Sequence, residues 1–211
     1  MQDDEAIERA AIHKAAALHN LGWETGAGAT IWARAISGLL ERHEAVRDGM
    51  GQQIALEEWE RLHSTALLLV VAIDQVLLFE RRVRKLTGDA ELAKARARFD
   101  AVGPRAEAVR DLVAHLDEYA IGAGRRQTGH DGPPITDPYL STQVWWGVDD
   151  GVPQGTVLSL GAEDLNLRTA ANAAIALAEV TDRVRAKNLQ RAEVEANEAF
   201  RRTWGADEAN L

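Results

Sequence analysis

The chain of 211 residues contains no cysteine. Disulfides and thiolate metal sites are therefore excluded, and a reducing compartment suits the protein. Long apolar runs are missing too. The most apolar stretch, Ala66 to Phe79, is interrupted by Asp74-Gln75 and falls short of the ~20 residues a membrane span needs. The opening residues Gln2-Asp3-Asp4-Glu5 are acidic and lead into an amphipathic pattern, unlike the basic start of a signal peptide. Together these absences predict a soluble, cytoplasmic protein with no membrane partner. No Gly-x-Gly-x-x-Gly, P-loop, His-Glu-x-x-His or nucleophile-elbow pattern occurs, which removes the commonest nucleotide, zinc and hydrolase signatures. Glu60-Arg61-Leu62-His63 has the Glu-x-x-His form of di-iron helical bundles, but the second such pair that the site requires is absent. Neither a metal nor a cofactor is expected.

What is present is charge, alanine and helical periodicity. The length predicts one domain over 1–211, able to bury roughly two-thirds of its extended surface. A net charge of −9 argues against a general nucleic-acid coat. The sign is uneven, however. Residues 81–130 hold 11 Lys/Arg against 7 Asp/Glu, a balance of +4 that leaves −13 for the remainder.

The periodicity predicts an all-α bundle. A first helix runs from Asp3 or Asp4 to about Asn20, with Ile7, Ala10, Ala11, Ala15 and Leu18 inward. A second covers about Thr30 to Arg47 and buries Ile31, Ala35, Leu39 and Trp32. The third, about Ile54 to Leu86, is apolar nearly all round between Ala66 and Phe79, which predicts a place in the middle of the bundle. Thr87-Gly88-Asp89 ends it and caps a short basic helix to Asp100. Gly103-Pro104 restarts the chain into a further helix ending near Ile121, with Pro104 suited to its first turn.

Residues 122–163 differ in composition, with eight of the 17 glycines and four of the 5 prolines. They predict a long loop with a small β-hairpin, Gln143–Gly147 facing Thr156–Leu160 across Asp149-Asp150-Gly151. Loops of this length in a compact domain are more often functional than idle. The closing helix covers 164–204, opening at Asp164 or Asn166 and burying Ala170, Ala171, Ala174, Leu177, Ala178, Thr181 and Val184. No repeat and no low-complexity segment interrupts this plan.

The chemistry-bearing stretch is Val109 to Tyr119. Its apolar residues Val109, Leu112, Val113, Leu116 and Ala120 recur at helical spacing, while Arg110, Asp111, His115 and Tyr119 carry groups that handle protons and phosphates. Arg110 and His115, five positions apart with a polar residue after the arginine, resemble the motif of HEPN domains. Those are small α-helical bundles, often metal-independent ribonucleases of prokaryotic toxin–antitoxin, abortive-infection and CRISPR systems. The resemblance implies that His115 moves a proton and that Arg110 holds the scissile phosphate with its planar fork. Asp111 and Tyr119, four residues either side of His115, share its helical face. Asp111 can orient the imidazole, and Tyr119 can donate to the phosphate or stack on a base.

On a regular helix Arg110 stands about 140° round from His115, so a composite site across a homodimer is expected, as HEPN ribonucleases commonly dimerise around this motif. The plain alternative pairs Arg110 with Asp117 or Glu107, with His115 satisfying a neighbouring carbonyl. Asp74 lies within the apolar third helix, where a carboxylate is costly unless paired. It is either a satisfied core aspartate or a member of a polar cluster with Arg110 and His115. His63, Arg81 and Arg82 lie along the same helix. Arg125 and Arg126, beside His130, are candidate substrate-binding cations or simply solvated ones. Two functions follow. One is a HEPN-like endoribonuclease, or an inactive relative, with RNA as substrate and an antitoxin or other protein as partner. The other is a non-enzymatic helical interaction module whose acidic surface binds a basic protein.

Overall fold

The computed structural model describes residues 2–24, 28–49, 55–102, 115, 142–149, 152–160 and 163–204. They form an all-α bundle with a small antiparallel sheet ahead of the last helix. The helices are α1 (Gln2–Glu24), α2 (Ala29–Gly49), α3 (Leu56–Thr87), α4 (Ala90–Val102) and α5 (Leu167–Trp204). The strands are β1 (Thr142–Asp149), β2 (Val152–Leu160) and β3 (Glu163–Asn166), in the order β1-β2-β3.

The bundle is organised by its closing helix. α5 packs against α1, α2, α3 and α4. All seven residues expected on its inner face are buried, with Ala170, Ala171, Ala174 and Ala178 fully so. Their short side chains let the partner helices approach closely. The larger α3 side chains Leu69, Ile73, Val76 and Leu77, each at most 1% exposed, fill the space between. Burying each such side chain stabilises by roughly 1.5–3 kcal/mol. One apolar cluster draws on every helix, and Leu158 and Leu165 from the sheet join it.

α3 begins where Ala55 donates its backbone N–H to the Glu58 carboxylate at 3.4 Å. It ends at Gly88, whose left-handed φ of 61° lets its N–H reach the Arg84 carbonyl at 2.9 Å. Asp89 then starts α4, accepting the Glu91 N–H at 2.8 Å. Among the described residues α3 is the one helix long and apolar enough to cross a membrane, and 56% of that stretch is buried in the bundle. The interrupted run Ala66–Phe79 falls short of that length because it leaves out the flanking turns.

Three expectations are revised. α2 buries Ala29, Ala33, Ile36 and His43, while Ile31 is 43% exposed and Ala35 and Leu39 are half-buried. Apolar residues lie nearly all round its first half, so periodicity alone left its rotation open. Asp182 of α5 settles one end, accepting the backbone N–H groups of Ala29 at 3.0 Å and Thr30 at 2.7 Å, and the Thr30 hydroxyl. On α1, Leu18 is buried but Ala10 is exposed. α3 is not enclosed all round, since Leu68 and Val71 face solvent.

The predicted hairpin forms one residue out of its expected register: Gln143 faces Ser159 rather than Leu160, and Gly147 faces Gly155 rather than Thr156, with an irregularity between Gly147 and Val148. A third strand extends it, pairing Leu158 with Leu165. Leu165 thus belongs to the sheet, and α5 opens at Asn166, whose side-chain oxygen accepts the Thr169 N–H at 3.0 Å.

Candidate functional site

Arg110, Asp111, Tyr119, Arg125 and Arg126 lie outside the described residues. His115 is described: it is half-buried and sits in a turn. The helix expected to end near Ile121 otherwise lies outside the described residues, and with it the angle between Arg110 and His115. His115 makes a contact with another side chain or backbone group.

Asp74 is 9% exposed, in the middle of α3. It too has a polar partner, as a buried carboxylate must. His63 lies eleven residues earlier, about 16 Å along the helix, and Arg81 seven later, about 10 Å. His63 stacks beside Trp59, ring centroids 5.2 Å apart.

Among the described residues, the most developed ionic cluster is one that sequence reasoning passed over. Glu80 is fully buried at the α3–α4 corner. Arg84 donates to one carboxylate oxygen at 2.7 Å, and Arg96 of α4 donates to the other at 3.3 Å. Arg96 also reaches Asp100 at 2.8 Å, and its guanidinium lies 5.8 Å from the Phe99 ring centroid. The signal was legible, because Glu80 falls on the apolar stripe of Ile73, Val76 and Val83 and stands four residues before Arg84.

A shallow open groove lies over this cluster, lined by Arg81, Arg84, Arg96, Asp100, Ala93 and Ala97, three cations to one anion. Residues 81–102 hold seven Lys/Arg and three Asp/Glu, whereas 103–130 hold four of each. The basic excess therefore belongs to the end of α3 and to α4, not to the Arg110–His115 segment. Such a corner suits an anion with several oxygens, since guanidinium forks match phosphate geometry.

His43 is a different kind of histidine. Burial lowers its pKa to about 4, with Arg47 also lowering it and the Leu62 carbonyl and Glu44 opposing. Nδ1 lies 3.0 Å from the Thr65 hydroxyl oxygen. That hydroxyl faces the carbonyls of Arg61 and Leu62, each at 2.9 Å, so Nδ1 carries the proton and the ring is neutral. It is a core histidine joining α2 to α3. No group of three metal-ligating side chains gathers among the described residues. Compared with family models, curated proteins and solved structures, the chain matches none.

Proposed function

We propose that this is a HEPN-like protein acting on RNA, a metal-independent endoribonuclease or a relative that binds RNA without cutting it, in a prokaryotic defence or toxin–antitoxin setting. The observation that carries the proposal is the basic α3–α4 corner on an otherwise acidic chain, with Arg81, Arg84 and Arg96 around an open groove. α4 ends at Val102, so Arg110 follows by eight residues and at most about 28 Å of chain. The corner would hold the phosphate backbone while the Arg110–His115 segment acts on one linkage.

In that reaction the ribose 2′-oxygen attacks phosphorus as its proton passes to a base. The P–O5′ bond breaks, leaving a 2′,3′-cyclic phosphate and a 5′-hydroxyl that gains a proton. His115 handles a proton, and Arg110 offsets the charge building on the phosphoryl oxygens. DNA lacks the attacking hydroxyl and is spared.

Binding is tested by fluorescence anisotropy with labelled single-stranded RNA across a salt series. Three phosphate contacts give a log–log slope near −2. Arg81→Glu with Arg84→Glu is expected to weaken binding at least tenfold and flatten that slope. Unchanged affinity in this variant removes the groove from the account. If RNA does not bind and a basic protein does, the −13 of charge outside residues 81–130 favours the acidic interaction module instead.

A further inference from the structure

The outward face of α3 is unusual for the helix that supplies so much of the core. Leu68 and Val71 are 53% and 42% exposed, and half-buried Leu78 continues the same stripe. At 100° per residue, Glu57, Glu60, Arg82 and Lys85 fall within about 40° of Val71, and all four are exposed. Their spacing is symmetric. Glu60 lies eleven residues before Val71 and Arg82 eleven after; Glu57 lies fourteen before and Lys85 fourteen after. The face is acidic at one end and basic at the other, with Leu68, Val71 and Leu78 between them beside Ser64 and Gln75.

We infer that two copies of this chain associate through this face, with their α3 helices antiparallel about a two-fold axis at Val71. The symmetry brings Glu60 and Glu57 of one copy opposite Arg82 and Lys85 of the second, twice over, while Val71 meets its own copy at the axis and Leu68 and Leu78 flank it. A parallel pairing would set like charges together and is disfavoured. The ionic groups are available for this. Glu60, Arg82 and Lys85 form no ion pair among the described residues, and Glu57 reaches only Arg61 at 3.9 Å.

From Glu57 to Lys85 the strip is about 42 Å long and about 10 Å wide. That is roughly half the ~800 Å² per partner of a standard stable interface. An interface of that size belongs to the weak, reversible class. The interface is separate from the Arg110–His115 segment and does not depend on any activity toward RNA.

Sedimentation velocity from about 1 to about 200 µM tests it. Wild type is expected to shift from monomer to dimer over that range, and Val71→Glu to stay monomeric. Glu60→Arg alone weakens the dimer at least tenfold. Combining it with Arg82→Glu restores the affinity to within about threefold, because both new charges again face opposites across the axis. The chain has no cysteine, so Val71→Cys carries a single thiol for a short bis-maleimide and is expected to crosslink much faster than exposed Arg191→Cys. A wild type monomeric throughout, a double reversal that fails to recover, or equal crosslinking rates each overturn the inference. RNA binding can be scored on the same variants, since none of them alters Arg81, Arg84 or His115.

Discussion

Single residues fix the joints of this bundle, and two glycines separate two ways of doing so. Gly28 has φ +80°, and a Cβ there would collide with the Asp182 carboxylate. Gly88 has φ +61° with open space where its Cβ would go. Gly88→Ala is therefore expected to cost about 1 kcal/mol from the left-handed backbone alone. Gly28→Ala adds displacement of the side chain that caps α2, and should cost at least ~1 kcal/mol more. Chemical denaturation of both variants checks the order; equal costs would mean that the Asp182 contact is dispensable.

His43 yields a pH prediction at the same scale. Its folded pKa of about 4 lies below the unfolded value. Its contribution to stability is thus complete above pH ~6.5 and is lost as pH falls toward 4. His43→Leu removes that dependence. Melting temperatures at pH 7.5 and 4.5 should show the variant gaining on wild type at the lower pH. A parallel decline of the two would place the imidazole in water. Asp74 supplies the complementary case. Asp74→Leu fills the space, whereas Asp74→Ala leaves a cavity and an unmatched partner, so the alanine variant should melt lower. Identical, negligible changes would contradict the burial.

At the scale of elements, the five described helices and the inner face of α5 were legible because alanine and leucine recur there at helical spacing against a polar background. The hairpin was legible from its two apolar runs, but its register was not, because the irregularity between Gly147 and Val148 has no signature in the alternation and pairing follows it. Where apolar residues crowd every face, as on the first half of α2, periodicity carries no direction and long-range capping by Asp182 matters instead. β3 escaped because four residues joined directly to a helix are too few to show alternation. Of the candidate site, the basic excess was legible in composition, but its confinement to α3 and α4 depends on where helices end. The buried Glu80 needed the stripe to be followed past Phe79.

That carboxylate holds α4 to α3. Glu80→Ala leaves Arg96, whose side chain is only 14% exposed, with Asp100 alone and takes the partner of Arg84; it is expected to cost on the order of 3 kcal/mol, while Glu80→Met should cost less because it refills the space. Hydrogen exchange should rise first in 90–102. Exchange that rises uniformly instead would mean that the cluster does not act at this corner.

For the molecule as a whole, the account joins an acidic α-helical bundle, one basic corner and a histidine segment that follows it. The residue on which this most depends is His115, half-buried in its turn. The direct test is incubation of the purified protein with single-stranded RNA in EDTA, resolving the product ends, beside His115→Ala. The account predicts 2′,3′-cyclic phosphate ends from wild type and intact DNA. It predicts no cleavage by His115→Ala, with a melting temperature within a few degrees of wild type. Cleavage that persists in His115→Ala, or an unfolded His115→Ala protein, would contradict it.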